Sequence, residues 1–481
     1  MRAVRVALAA LCAAMALAVG SAAGAQAYAP PPIRHVFVVV LENESSAVTF
    51  GPDSPAPYLA HTLTGEGAFL ADYHAIGHES LDNYIAMISG QAPNPFTQTD
   101  CQVYENLVPG TLLSDAQADG VGCIYPSDVP TIASQLDAAG LTWRDYDQSM
   151  GADPAREAAE CGHPGVGQID TTQSATATDQ YATRHNPFMY FHSIIDDTTL
   201  CDSHVVNLDL LPGDLTSAAD TPNYVFITPD LCSDGHDATC ADKSRPGGFG
   251  GIEQFLQQWV PTITGSPAFQ QNGLLIITFD ESQDTDATSC CGEVPGPGTV
   301  LPGLLGPGGG TVGAVLLSPF IAPGTVSNVP YNHYSMLRSV EDLFGLSHLG
   351  EAADAGEQSF GPDVYTRAAG PPAPAGPVPA PAKACTAKAL PRRAHGHLAS
   401  GTLIEGVALV RARTRAAIVL HAVHAAVLRV TVRPGHGRSR TLLTRRIARC
   451  RAYRVTLPRG HGRVQVAAIV AQGAQTTIRH Y

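Results

Sequence analysis

A large α/β domain on a mostly parallel sheet, followed by a small antiparallel β-sandwich, is the fold this sequence predicts. Short apolar runs, Val36–Leu41, Tyr224–Thr228 and Leu274–Phe279, lack helical periodicity and read as strands buried on both faces. Helix-like segments, Val129–Ala139, Gly251–Val260 and Tyr334–Phe344, alternate with such runs from about Ile33 to Phe360. Beyond a Pro/Ala tract the pattern changes to short β-rich runs separated by Gly/Arg turns. At 481 residues the chain exceeds one ordinary core, so two domains plus appendages are expected.

Taken in order, residues 1–27 form a secretory signal: Arg2 and Arg5 precede an apolar run from Val6 to about Val19, and small residues lead to Ala25-Gln26-Ala27. An uncleaved anchor is the alternative. Leu11 before Cys12 argues against lipoprotein attachment, and no later run is long and apolar enough to span a bilayer. The α/β domain should occupy 28–369, with Val312–Leu317 a further buried strand and Thr285–Gly310 a long Gly/Pro-rich loop. Residues 370–383, with Pro371, Pro372, Pro374 and Pro381, make an extended semi-rigid linker. Residues 384–481 form the β-rich unit, with runs at Ala416–Leu420, Val427–Val432, Arg454–Leu457 and Val464–Val470.

Ten cysteines remain once Cys12 leaves with the signal, an even number suited to an oxidising compartment. Local pairing joins Cys101 to Cys123, Cys161 to Cys201, Cys232 to Cys240 and Cys385 to Cys450, while adjacent Cys290 and Cys291 are ambiguous. A structural zinc site competes poorly, since no CxxC pair has a matching second half. The net charge of −14 conceals an asymmetry: from Lys383 onward Glu405 is the only acid, whereas the body before it is strongly acidic. The tail can meet anionic wall polymer, phospholipid headgroups or nucleic acid by charge alone. With only Tyr453 and Tyr481 as aromatics it lacks stacking platforms, so specific nucleic-acid recognition is not expected. A secreted protein, with possible wall association through this tail, is the expected localisation.

The three apolar runs each stop on a carboxylate: Glu42-Asn43, Asp230 after Pro229, and Asp280-Glu281. Parallel strands end on one edge, and ligands of open α/β folds sit beyond that edge, so these acids should converge. Each alone could be a solvated strand end; three together point to a site. Glu42, Asn43, Asp280 and Glu281 form a hard-oxygen set suited to Mg, Ca or Mn rather than a soft-ligand metal. Ser80 stands where a helix should begin, with Tyr84, Ile85 and Ile88 on one face and Gly90 as the stop. It can be a simple N-cap, or a nucleophile at a helix terminus that favours anions. Asn83, one turn on, can donate its amide to a phosphoryl oxygen. Asp230 and His236 share a loop after a strand, and His333 precedes a late helix; such imidazoles can ligate a second metal, bind phosphate oxygens or protonate a leaving alcohol. His185 and His204 are weaker candidates.

Together these motifs resemble the phosphoesterase family of bacterial phospholipases C and acid phosphatases, with the three-layer fold of the alkaline phosphatase superfamily. The likeness covers about Ile33 to Leu349. It implies the Glu-Asn pair at Glu42-Asn43, the nucleophile at Ser80, the phosphate-binding Asn at Asn83, the late Asp-Glu at Asp280-Glu281 and Asn-His-Tyr at Asn332-His333-Tyr334. The resemblance is nearest to secreted actinobacterial acid phosphatases acting on phosphatidylinositol 3-phosphate, through Arg184-His185-Asn186-Pro187 and His236-Asp237. Asp230 to His236 also looks like the Asp...Gly-His metal segment of nucleotide pyrophosphatases, so Asp230 decides between one divalent ion and two (Mg, Ca, Mn or Zn). Glu79 and Asp82 replace residues commonly small or proline, adding negative charge near an anionic substrate.

The expected activity is hydrolysis of phosphate monoesters, phosphoinositides among them, through a phosphoserine on Ser80. Glu42, Asn43, Asp280, Glu281 and Asp230 are the expected metal ligands; His236 and His333 bind or protonate oxygens. A phospholipase C type phosphodiesterase is the alternative within enzymes. A non-catalytic wall- or membrane-associated protein working through the basic tail is the alternative of another class.

Overall fold

The computed structural model describes residues 28–283 and 285–367 and, within 404–480, seven strands and residue 457. The expected signal (1–27), the linker (370–383) and the Cys385–Cys450 pair lie outside the described residues.

Eight strands form the main sheet: β1 (His35–Leu41), β2 (Ala68–Leu70), β3 (Trp143–Asp147), β4 (Val205–Asn207), β5 (Tyr224–Thr228), β6 (Gly273–Phe279), β7 (Ala314–Leu317) and β8 (Thr325–Ser327). Their spatial order is β8-β2-β7-β6-β1-β5-β3-β4. β6, β1, β5, β3 and β4 pair in parallel, and β7 alone runs against its two neighbours. Every residue of β1, β5 and β6 is buried, so both faces of the sheet are covered and the three-layer α/β expectation holds. The register sets Leu41 beside Phe279 and Val39 beside Ile227, which aligns the carboxyl ends of the three central strands.

The helices begin where their caps dictate. α1 (Ser80–Ser89) stops at Gly90, whose φ of 67° is the left-handed C-cap that glycine adopts without strain. α2 (Ile132–Ala139) starts later than the apolar pattern suggested, because Thr131 and Ser134 make a reciprocal capping box. α3 (Gly248–Thr264) is longer than expected at both ends, and α4 (His333–Phe344) is capped by the Asn332 side chain. The three local disulfides, Cys101–Cys123, Cys161–Cys201 and Cys232–Cys240, are present, and Cys290 and Cys291 pair with each other. No helix among the described residues is long and apolar enough to cross a membrane.

The C-terminal strands are β9 (Ile404–Ala412), β10 (Arg415–Ala422), β11 (Ala426–Pro434), β12 (Arg440–Ile447), β13 (Arg451–Thr456), β14 (Gly462–Val470) and β15 (Gly473–His480). They form two antiparallel sheets, ordered β9-β10-β13 and β12-β11-β14-β15.

β3 carries an unusual load for a buried strand. On one face Arg144 and Tyr146 both donate to Asp214, each at 2.7 Å. On the other, Asp145 and Asp147 lie within hydrogen-bonding reach of each other, and the Asn186 amide donates to Asp147 Oδ2 at 2.8 Å. Burial pushes Asp145 up to about 7, and burial plus Asp145 raises Asp147, so the pair holds a proton that two separate aspartates would release. A carboxyl whose folded pKa is raised binds more protons folded than unfolded, so Asp145 makes stability fall as pH rises from about 4 to about 7. Asp145→Asn should remove that fall: at pH 8 we expect a gain of about 2–4 kcal/mol, shrinking to nothing near pH 4. Urea melts of both proteins at the two pH values check this, and parallel pH profiles would discard the shared proton.

Candidate active site

Glu42 leaves β1 completely buried and accepts three side-chain hydrogen bonds, from Ser80 Oγ at 2.9 Å, Tyr84 Oη at 2.8 Å and the Asn43 amide at 3.1 Å. Ser80 is the first residue of α1, while Glu79 occupies the cap position and Ser80 makes no capping bond. The N-cap explanation of Ser80 therefore fails, and its hydroxyl is committed to Glu42. Asn43 takes the left-handed conformation, φ 63°, which asparagine tolerates better than most residues. That turn lets its backbone N–H donate to Asp280 Oδ1 at 3.0 Å, tying the ends of β1 and β6 together.

Burial, with Asp280 and Asp234 close by, holds Glu42 well above the usual carboxylate range; burial likewise raises Asp234, and raises Asp280 to about 6. One imidazole sits between two of these acids. His185 Nε2 is 3.4 Å from Glu42 Oε2, its Nδ1 is 3.3 Å from Asp234 Oδ2, and its ring stacks on Tyr84 at 5.4 Å. Burial lowers His185 well below its ordinary value, with Arg184 and His236 adding to the effect, so the ring is neutral. Among the described residues, Glu42, His185 and Asp234 can converge ligand atoms within 4.8 Å of one another. Asp234 Oδ2, Asp280 Oδ2 and both His185 nitrogens are buried without a hydrogen-bond partner. Packed carboxylates with orphaned oxygens are what a hard divalent cation would neutralise, so these residues fit one.

Two of these residues escape a strand-end search. Asp234 follows an irregular loop, and its approach depends on Gly235, whose φ is 115° and where a Cβ would lie 2.9 Å from the Glu42 carbonyl oxygen. The Asp-Gly-His spelling of 234–236 was the available signal. His185 lies in a 3-10 turn, and the Arg184-His185-Asn186-Pro187 pattern was its signal in the sequence.

Three expected roles need correction. Asp230 does not join His236 and His333: its carboxylate pairs with Arg245 at 2.9 and 3.0 Å and accepts from Ser149 at 2.7 Å, so it is already neutralised. Asn83 has no amide hydrogen left for a phosphoryl oxygen, because Nδ2 donates to the Gly77 and Glu79 carbonyls while Oδ1 accepts from the Ile76 and Gly77 N–H groups. It staples the loop that delivers Ser80. His333 is fully buried, donating from Nε2 to the Asp280 carbonyl at 2.6 Å and accepting from Tyr73 at Nδ1; burial lowers it to about 4. It positions Asp280 and is no proton donor to a leaving group.

The remaining groups surround this centre. Glu281 turns toward His78, Oε2 to Nδ1 3.5 Å. His236 is a third exposed; it accepts from Arg184 at 2.9 Å and donates to Asp237 at 2.9 Å. Arg184 is buried and also pairs with Asp100 at 3.3 Å, which in turn accepts the Leu81 N–H of α1. Asp82 is buried over Gly77, and burial, Asp100 and Glu79 raise it well above the usual range.

A sequence profile described as the Phosphoesterase family matches residues 54–347. The chain is 25% identical over 321 residues to a probable acid phosphatase of Kluyveromyces lactis, covering 66% of this chain and 59% of the relative. To an acid phosphatase of Aspergillus fumigatus it is 24% identical over 336 residues, covering 69% and 60%. The match thus spans about three-fifths of the length of these fungal relatives. It is also 25% identical over 335 residues to a phosphatidylinositol-3-phosphatase of Mycobacterium tuberculosis, covering 69% of this chain and 84% of that protein. Among solved structures, a protein of the alkaline phosphatase superfamily from Vibrio parahaemolyticus aligns with 86% of this chain and 81% of its own at 10% identity, TM-score 0.38.

Proposed function

Because the chain belongs to the phosphoesterase family, we propose that it is a secreted, metal-dependent hydrolase of phosphate monoesters that works through Ser80. The observation that carries the reading is the Ser80 hydroxyl, at the start of a buried helix, donating at 2.9 Å to Glu42 beside Asp280 and Asp234. The disulfides and the expected signal support secretion.

In this reading Glu42, Asp280, Asn43, Asp234 and His185 hold the ion. When bound, a divalent cation supplies charge neutralisation and lowers the pKa of the nucleophile. Ser80 Oγ passes its proton toward Glu42 and forms a bond to phosphorus as the ester P–O bond breaks. The α1 N-terminus favours the anionic group that builds up there. Arg184 is the buried cation beside Glu42 and meets the phosphoryl oxygens, while His236, a third exposed, faces the side where the departing alcohol takes up a proton from solvent. Water then attacks phosphorus, the P–Oγ bond breaks as Ser80 Oγ takes its proton back from Glu42, and the water's protons leave with the released phosphate. The match to a protein named as a phosphatidylinositol-3-phosphatase supports phosphoinositides as one substrate class.

The test is phosphate release from the full chain over a panel of monoesters and diesters, before and after chelation. We expect monoesters to be preferred, chelation to abolish release, and one of Mg, Ca, Mn or Zn to restore it. Full activity after exhaustive chelation would reject metal dependence; preferred cleavage of diesters would favour the phospholipase C reading.

A further inference from the structure

We propose that the loop between Asp286 and Gly309 is a lipid-docking lobe, whose apolar side chains enter the interfacial region of an anionic bilayer while the basic C-terminal region attaches electrostatically. From Val294 to Asn332 the sequence contains no Asp, Glu, Lys or Arg. Within that stretch Val300 is 88% and Leu305 54% exposed, and Val294, Leu301 and Leu304 are exposed as well. Large aliphatic side chains gathered on one charge-free stretch are uncommon on a surface that meets only water.

The lobe is built, not slack. Gln98 Nε2 donates to the Leu301 and Pro302 carbonyls at 3.0 and 2.9 Å, and Gly296 lies so near Pro93 that a Cβ would fall 2.2 Å from its carbonyl oxygen. With its backbone held from below, the loop can offer aliphatic side chains to an apolar phase at shallow depth. Its feet stand at the catalytic centre: the Gly309 N–H donates to Ala75, the Ser282 N–H to Gly309, and His78 Nε2 to the Asp286 carbonyl. A bilayer touching the lobe therefore lies beside the segments that carry Ser80 and Glu281.

Chemistry favours lipid over a protein partner. Protein interfaces are anchored by Trp, Tyr and Arg, whereas residues 294–310 hold only aliphatics, Gly, Pro and one Thr. The acidic body alone is repelled by an anionic surface. Nineteen of the chain's 29 Lys and Arg lie from Lys383 onward, and two weak signals, apolar and polybasic, together give stable attachment. The inference rests on the phosphoesterase reading only for its consequence, that phosphate esters in the bilayer are hydrolysed from its surface; binding does not depend on it.

The experiment uses the full secreted chain, sedimented with vesicles of phosphatidylcholine alone or mixed with phosphatidylglycerol, at low and high salt. The parent should sediment with the anionic vesicles and be partly released by salt. Val300→Asp with Leu305→Asp should weaken partitioning by about tenfold or more and leave turnover of a soluble aryl phosphate unchanged. The proposal is overturned if the parent ignores both vesicles, or if the double variant partitions like the parent, which would leave the tail as the whole attachment. It is also overturned if the parent is a dimer that the variant splits in sedimentation velocity, which would make the lobe a contact between copies.

Discussion

Ser80→Ala is expected to cut phosphate release by about 10³–10⁵-fold while the protein stays folded. Ser80 caps nothing in α1, and alanine is the best helix former, so the helix loses no support. Glu42 loses one of its three side-chain donors but keeps Tyr84 and Asn43, which limits the structural cost to about 1–2 kcal/mol. Turnover falls because no other hydroxyl among the described residues donates to Glu42 except Tyr84, whose pKa is raised well above its ordinary value by burial and by Glu42 itself. Steady-state release from an aryl phosphate measures the loss. Acid-quenched turnover of the parent should leave phosphate on the Ser80 peptide, and the variant should carry none. Undiminished release, or phosphate trapped on a different residue, would remove Ser80 as the nucleophile.

The strands that carry the centre were legible because they are pure apolar runs ending in acids, and the parallel register that aligns Leu41 with Phe279 follows from their burial. The same pattern hid β3, since Trp143-Arg144-Asp145-Tyr146-Asp147 alternates charge with aromatics and reads as a surface segment. Its polar side chains are tolerated inside because Arg144 and Tyr146 share Asp214 on one face and the two aspartates share a proton on the other. Asp230 shows the limit of the strand-end argument. It does stand at the correct edge, but the sequence has no way to display Arg245, fifteen residues on, folding back to neutralise it. His333 and Asn83 fail as substrate contacts for a related reason: both are needed, yet their hydrogen bonds hold the backbone that presents Asp280 and Ser80. A polar residue in the right motif can serve the reaction from behind the reacting groups, and only the direction of its hydrogen bonds reveals that.

Asp280→Asn should change stability and activity in opposite directions. The Asp280 Oδ1 acceptor for the Asn43 N–H survives as the asparagine carbonyl, so the turn joining β1 to β6 is kept. What disappears is charge: burial holds Asp280 at about 6, so above that pH the metal-free parent confines an ionised carboxylate next to Glu42. A folded value raised from about 4 means that the metal-free parent loses stability as pH rises through that window, and the variant does not. In chelator at pH 8 the variant is therefore expected to be more stable by about 1–3 kcal/mol. With the activating ion present the order reverses, because binding to the native state stabilises the parent by an amount that grows with ion concentration, while the variant has lost a charged ligand. Phosphate release by the variant should fall by about 10³-fold or more. Melting curves of both proteins in chelator and in excess ion, beside bound-metal analysis, read out the crossing. If the variant keeps the parent's ion-dependent shift and its turnover, Asp280 is no ligand, and the ion is held by Glu42, His185 and Asp234 without it.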